Sequence, residues 1–128
     1  MTPAADDLAR PPTESEVAQA LARFARDVRR HYGERLRGVY LFGSRARGDH
    51  RPDSDVDVAV VLADDGWDFW TEKMLLADLS YDPLIDLGVW LQGWPVSAEA
   101  WRNPEHHNNP WLIRAMQRDG KVIADVAG

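Results

Sequence analysis

The stretch that decides the fold reads Leu-Phe-Gly-Ser-Arg-Ala-Arg-Gly-Asp over residues 41–49 and Ser-Asp-Val-Asp-Val over residues 54–58. Apolar residues precede Gly43, as expected for a buried strand that ends in a sharp turn. Ser44 then brings a hydroxyl group to the start of a short helix, where free backbone N–H groups favour an anion. Asp55 and Asp57 are two residues apart, so on a strand their carboxylates project from one face. The stretch therefore predicts a phosphate-binding turn beside a pair of metal-binding carboxylates.

Hydropathy patterns predict the elements around this stretch. Thr13 and Glu16 form a capping-box pattern at the start of a helix with one apolar face. Residues 1–12, which end in two prolines, are expected to be a flexible lead-in, and residues 13–128 a single domain. We expect helices over residues 13–32 and 68–79 and from residue 110 onwards, and strands over residues 38–42, 55–63, 84–91 and, at an edge, 121–124. Residues 93–110 are predicted to be irregular, with one helical turn at 97–101.

The third predicted strand carries an acid opposite its apolar side. Ile85, Leu87, Val89 and Leu91 alternate along residues 84–91, which is typical of one buried strand face. Asp86 points the other way. It is either a functional carboxylate or a solvent-facing residue near the end of the strand.

Composition limits the class of protein. The 128 residues have a net charge of −6 and no cysteine, which excludes disulfides, thiol catalysis and cysteine-ligated zinc. Apolar runs are too short for a transmembrane helix and the N-terminus does not resemble a signal peptide, so we expect a cytoplasmic protein with no membrane contact. Residues 1–51 carry ten basic and seven acidic residues, and residues 52–128 carry five and fourteen. An acidic protein binds nucleic acid poorly, so direct nucleic-acid binding is not expected. The basic first part is either a solvated surface or a surface for nucleotide phosphates or an acidic partner.

The spacing of the central motif resembles that of a known superfamily. Gly43-Ser44, followed after ten residues by Asp55-x-Asp57, is similar to the GSx10DxD signature of DNA polymerase β-like nucleotidyltransferases. The residue types at positions 43–49 and 54–57 are most similar to those of the minimal nucleotidyltransferase (MNT) branch. This branch includes the antitoxins of MNT–HEPN toxin–antitoxin pairs. The resemblance implies an α/β (α+β) fold with a small mixed β-sheet flanked by helices.

The resemblance also implies roles for the nucleotide-binding residues. Gly43 and Ser44 would hold the β- and γ-phosphates of ATP, the serine through its hydroxyl group. Arg45 and Arg47 are candidates to neutralise phosphate charge, with Arg47 the stronger of the two. Either arginine could instead be exposed or ion-paired.

A metal site is implied by the same resemblance. Asp55, Asp57 and, from the next strand, Asp86 would bind two Mg²⁺ ions, which prefer carboxylate and phosphate oxygens. Asp86 would also help to deprotonate the acceptor hydroxyl. Two ions about 3.5–4 Å apart would stabilise the attacking and leaving oxygens of the displacement at the α-phosphorus.

The resemblance favours one function over two alternatives. It implies Mg²⁺-dependent transfer of AMP from ATP (AMPylation) to a hydroxyl, expected to be a tyrosine, of a partner HEPN RNase toxin that this chain would silence as an antitoxin. The first alternative is nucleotidyl transfer to a small hydroxylated compound such as an aminoglycoside. The second is a non-catalytic module that neutralises a toxin by contact alone. Asp57→Asn separates catalysis from simple binding.

The last third of the chain holds two further candidate features. Trp90, Trp94, Trp101 and Trp111 are either packing residues or an aromatic surface for a base or a partner protein. The pair at residues 106 and 107 is two histidines, which could suggest a metal, but adjacent residues share a face poorly. We therefore expect this pair to lie in an exposed loop.

Overall fold

A computed structural model describes residues 10–63 and 66–124, in which helices and strands alternate. In chain order, the elements are α1 (Glu14–Tyr32), a 3-10 turn (Gly33–Arg35), β1 (Leu36–Phe42), α2 (Ser44–Arg47), β2 (Val56–Leu62), α3 (Phe69–Leu79), α4 (Tyr81–Leu87), β3 (Leu91–Ser97), α5 (Ala98–Arg102), a 3-10 turn (Pro104–His106), α6 (Pro110–Asp119) and β4 (Lys121–Ala124).

The strands form one mixed sheet in the order β3-β2-β1-β4. β1 pairs antiparallel with β2 and with β4, whereas β3 pairs parallel with β2. The predicted small mixed sheet flanked by helices is confirmed, as is the edge position of β4.

Alternation along β2 divides the side chains between the two faces of the sheet. On face A, Val56, Val58 and Val60 pack in a core with Phe24 of α1 and Leu76 of α3. Face B carries Asp57 and Ala59, and there Ala59 packs with residues of α5 and α6 such as Ala100, Ile113 and Met116. Every second residue of a strand points to the same face of the sheet. Asp57, two residues before Ala59, therefore lies on face B as well.

α1 begins with the predicted capping box. The Thr13 hydroxyl oxygen accepts a hydrogen bond from the Glu16 N–H at 3.1 Å, and the Glu16 carboxylate accepts one from the Thr13 N–H at 2.9 Å. Val17, Phe24 and Val28 are buried along one side of the helix, which confirms the predicted apolar face. The predicted lead-in lies largely outside the described residues.

The prediction of a strand over residues 84–91 is wrong, because residues 81–87 form helix α4. Pro83 stands in the first turn of α4, where its missing N–H leaves no hydrogen bond unmade. Gly88 ends the helix in the left-handed conformation (φ 70°, ψ 22°), and its N–H donates to the Leu84 carbonyl oxygen at 2.9 Å. Ile85, which the alternating pattern placed in a core, is 63% exposed.

The third strand lies instead at residues 91–97, within the segment predicted to be irregular. Gly93 is needed there, since a Cβ atom would lie 2.9 Å from the Leu76 Cβ atom of α3. Pro95 is tolerated because β3 is an edge strand, where a missing N–H costs no ladder bond. The predicted helical turn near residues 97–101 is confirmed as α5.

Within the described ranges, no helix combines the length and apolar character needed to cross a membrane.

Candidate nucleotide site

The turn after β1 brings the two halves of the central motif into contact. Gly43 has φ 78° and ψ −158°, a conformation essentially restricted to glycine. A Cβ atom at this position would lie 2.7 Å from Oδ2 of Asp57. The carboxylate therefore packs directly against the Gly43 backbone, and any side chain there would displace it.

α2 starts at Ser44, beside this contact. The N–H groups of Ala46 and Arg47 donate to the Gly43 carbonyl oxygen at 3.1 Å. The N–H groups of Ser44 and Arg45 precede any possible acceptor within the helix, as in every first helical turn. Ser44 is only partly buried, so its hydroxyl group and these N–H groups have the placement that phosphate binding requires. That role remains a prediction.

Asp55 and Asp57 differ in their surroundings. Asp55 is exposed just before β2, and Asp57 is half-buried within it. Burial raises the pKa of the Asp57 carboxyl above its ordinary value, and the charge of Asp55 acts in the same direction. A hydrogen bond from Trp94 and the charges of Lys73 and Arg47 oppose this rise. Asp57 is therefore the more buried of the two carboxylates, with cationic side chains near it.

The neighbours of Asp57 on β3 are not acids. The parallel register pairs Asp57 with Gln92 and Ala59 with Trp94, so both β3 side chains share face B with Asp57. Residues 91–97 contain no Asp or Glu. The strand beside the carboxylate pair therefore provides an amide and an indole, not a third carboxylate.

Asp86 does not lie on a strand next to β2, where the prediction placed it. It lies on α4, and its Oδ2 accepts a hydrogen bond from Nη1 of Arg23 on α1 at 2.8 Å. Its side chain is 54% exposed. Within residues 10–63 and 66–124, no group of three His, Cys, Asp or Glu side chains is arranged to hold a metal ion. Within these residues, Asp86 is therefore not brought together with Asp55 and Asp57 as a group of three carboxylates.

Asp55 and Asp57 are the carboxylates that could hold a divalent cation at this turn. Two carboxylates that leave several coordination positions to water and phosphate oxygens are a common donor set for this cation in phosphoryl-transfer sites. Asp55 and Asp57 supply hard oxygen ligands beside the Gly43 turn, where nucleotide phosphates would complete the coordination.

Arg45 is buried and bonded to the loop between α2 and β2. Its side chain is 3% exposed. The guanidinium donates to the carbonyl oxygens of Ser54 at 3.1 Å and Pro52 at 3.0 Å, and Nη1 lies 3.6 Å from the Glu14 carboxylate. The guanidinium thus holds the loop that leads into Asp55, and nucleotide binding by Arg45 stays a prediction.

Arg47 is better placed to meet a phosphate group. It is 42% exposed and forms ion pairs with Asp49 and Asp119, each at 3.1 Å. These pairs raise the pKa of the guanidinium. The positive charge of Arg47 acts to lower the pKa of Asp57. A phosphate would therefore compete with two carboxylates for Arg47.

Lys73 and Trp94 contact each other next to the candidate site. The sequence carries no signal for this contact. The Lys73 ammonium donates to the Gly93 carbonyl oxygen at 2.6 Å and lies 4.1 Å from the centroid of the Trp94 indole ring. Burial lowers the pKa of Lys73, and the charge of Asp57 opposes that shift. The contact depends on the β3 register, for which the sequence carries no local signal.

The four tryptophans do not form one cluster. Trp90 and Trp111 are 58% and 78% exposed, whereas Trp101 stacks on Tyr40 with ring centroids 4.8 Å apart. Trp94 lines a cavity of about 460 Å³ on face B, together with Trp67, Trp70, Leu112 and other residues. Packing and surface roles are thus divided among them.

His106 lies in the predicted exposed region, with Nδ1 bonded to the Glu99 carboxylate.

The mixed sheet and the glycine-serine turn packed on a strand carboxylate agree with the nucleotidyltransferase fold that the motif predicts. A family model described as "Nucleotidyltransferase domain" matches residues 21–101. The chain belongs to this family, which confirms the resemblance inferred from the motif and the enzyme class that it implied.

Individual relatives agree with this membership. One from Methanocaldococcus jannaschii, named "Putative protein adenylyltransferase", is 30% identical over 69 residues, which cover 54% of this chain and 54% of the relative. The chain thus matches about half the length of that relative. A crystal structure titled as a putative nucleotidyltransferase from Sulfolobus solfataricus has a TM-score of 0.58 and 17% identity, covering 88% of this chain and 85% of that chain. A structure titled as a toxin-antitoxin with AMP-PNP has a TM-score of 0.50 and 24% identity, with 81% and 73% covered. Both structures share the fold of this chain.

Proposed function

We propose that this chain transfers AMP from Mg²⁺-bound ATP to a hydroxyl group of a partner protein. The observation that carries the proposal is the contact between Gly43 and Asp57, in which a carboxylate packs against a glycine turn at the start of a helix. A divalent cation on the Asp57 carboxylate would then lie next to N–H groups suited to phosphate, which supports the proposal. Neither element alone would bind a metal–nucleotide complex.

The reaction follows from this arrangement. The acceptor oxygen forms a bond to the α-phosphorus of ATP, the bond from that phosphorus to the bridging oxygen breaks, and pyrophosphate leaves. The hydroxyl proton passes to a carboxylate of the Asp55–Asp57 pair. Mg²⁺ bound by this pair would neutralise the phosphate charge, and the Gly43 turn would fix the triphosphate in line with the acceptor.

We propose further that the acceptor is a tyrosine of a HEPN RNase toxin and that the chain acts as its antitoxin. Two observations support this part. The motif of residues 43–57 resembles that of minimal nucleotidyltransferase antitoxins, and the curated relative is named as a protein adenylyltransferase. We expect the reaction to take place in the cytoplasm.

A second candidate is a module that neutralises its partner by contact without catalysis. The absence of Asp and Glu from β3 favours it, because Gln92 and Trp94 stand where a third carboxylate would complete a two-ion site. The two candidates differ in whether the partner is covalently changed.

The test uses the purified chain, Mg²⁺, ATP and a lysate of its native host. Mass spectrometry would search for a protein that gains one adenylyl group. Asp57→Asn should abolish the modification, whereas Asp78→Asn, an equal substitution on the exposed side of α3, should preserve it. A partner that co-purifies unmodified with the wild-type chain and with both variants would favour the contact module.

A further inference from the structure

Lys73 is a half-buried cation directed at the candidate site from a helix on the other face of the sheet. α3 packs on face A, where its Leu76 side chain is fully buried. The Lys73 side chain extends around edge strand β3, and its ammonium donates to the Gly93 carbonyl oxygen at 2.6 Å. It lies over the Trp94 ring, 4.1 Å from the centroid. The ammonium thus reaches the strand that borders Asp57.

Its remaining hydrogen-bonding capacity lies near the carboxylates. An ammonium group has three N–H donors, and the Gly93 carbonyl oxygen takes one of them. Trp94 pairs with Ala59 and Gln92 pairs with Asp57 in the β2–β3 register, so the indole under the ammonium lies on face B, the face that carries Asp57. Lys73 therefore has donors left for an anion bound beside Asp57.

We infer that the Lys73 ammonium binds the triphosphate of the nucleotide and that the site takes this nucleotide with one divalent cation instead of two. This inference rests on the proposed nucleotidyl transfer and adds to it the residue that recognises the phosphates on the β3 side.

Charge explains why one cation suffices. A two-ion site built on three carboxylates carries three negative charges before its cations bind. Asp55, Asp57 and Lys73 together carry one negative charge, since an ammonium takes the place of a carboxylate. The difference of two charges equals the charge of one Mg²⁺ ion. A fixed ammonium, unlike a second ion, needs no further ligands.

The test measures binding of α,β-methylene-ATP, which cannot transfer its nucleotide, by calorimetry in the presence of Mg²⁺. Lys73→Met removes the charge, and Lys73→Gln removes the charge but keeps a hydrogen-bond donor on a similar stem. Arg30→Met removes an exposed charge at the end of α1 and serves as the control. Electron paramagnetic resonance of Mn²⁺, used in place of Mg²⁺, counts the ions bound per chain with the analogue present.

Both Lys73 variants should bind the analogue roughly ten- to a hundredfold more weakly, as expected for a lost charge-assisted hydrogen bond to phosphate. Arg30→Met should bind it like the wild type, and one Mn²⁺ ion should bind per chain. Two Mn²⁺ ions, or Lys73 variants with wild-type affinity, would overturn the inference and leave the proposed function standing. A wild-type chain that does not bind the analogue would overturn both.

Discussion

Gly43→Ala is the substitution that most directly perturbs the contact between the turn and the carboxylate. The Gly43 backbone, with φ 78° and ψ −158°, lies in a region that costs a non-glycine residue about 1–3 kcal/mol. The new Cβ atom would also lie 2.7 Å from Oδ2 of Asp57. The Asp57 carboxylate would have to move by roughly 0.7 Å to restore an ordinary contact of 3.4 Å, whereas metal–ligand distances vary by only about 0.2 Å.

Two separate losses should therefore result. The free energy of unfolding should fall by about 1–3 kcal/mol, which lowers Tm by roughly 3–6 °C per kcal/mol in a domain of this size. Affinity for the Mg²⁺–nucleotide complex should fall by about 10–100-fold, the usual effect of displacing a group that positions a metal ligand.

Gly33→Ala is the matched control for this prediction. Gly33 also has a positive φ (56°) with ψ −126°, it lies near the opposite end of β1, and nothing approaches its Cβ position within 4 Å. It should lose similar stability in thermal unfolding and retain wild-type affinity for α,β-methylene-ATP in calorimetry. If Gly43→Ala bound the analogue as tightly as Gly33→Ala, the Gly43–Asp57 contact would have no part in nucleotide binding.

Three further predictions concern charged residues. Arg45→Met should lower the free energy of unfolding in urea by about 2–4 kcal/mol because it removes the hydrogen bonds of a buried guanidinium to the Ser54 and Pro52 carbonyl oxygens. Arg47→Met, at a partly exposed side chain with two ion pairs, should change it by under about 1 kcal/mol. Asp86→Asn should leave the rate of AMP transfer unchanged, since this residue pairs with Arg23; a lost activity would restore Asp86 to the site. Hydrogen bonds from Arg118 and Arg47 lower the pKa of the Asp119 carboxyl below its ordinary value of 3.8. The stability that these hydrogen bonds provide is fully present above pH 3.8. It is lost as the pH falls through the lower pKa of the folded state. Tm should therefore decline on acidification below about pH 4, and melts of Asp119→Asn should show a smaller decline.

The sequence carried enough information to predict the first half of the site. Apolar residues before Gly43 and valines alternating with Asp55 and Asp57 determine two adjacent strands and the turn between them. Because side chains alternate strictly along a strand, the direction of Asp57 followed from the pattern alone. The contact of its carboxylate with Gly43 needed only the pairing of β1 with β2.

The prediction of the third strand was wrong because apolar residues alternate from Ile85 to Leu91, as they would on a strand. Residues 81–87 instead form a helix of seven residues, with Pro83 in its first turn and Gly88 directly after its last residue. This helix packs on α1. Pro83 and Gly88 were the available signal, since proline in a first turn and glycine after a last turn are typical helix limits. The true strand was obscured by Gly93 and Pro95, which an edge strand tolerates.

The role of Lys73 could not be predicted from spacing. It faces Trp94, 21 residues further along the chain, only because β3 pairs with β2 in one register and α3 packs against it. A lysine on a partly apolar helix otherwise indicates a solvated charge. Contacts of this kind depend on tertiary packing and not on local pattern.

The most direct test of the account compares ATP labelled on the α-phosphate with ATP labelled on the γ-phosphate, each incubated with the chain, Mg²⁺ and lysate of the native host. The account predicts that α-label appears on a protein band, that γ-label leaves as pyrophosphate, and that Asp57→Asn abolishes the transfer. Transfer of γ-label to protein, α-label that persists in Asp57→Asn, or no transfer of α-label at all would contradict it.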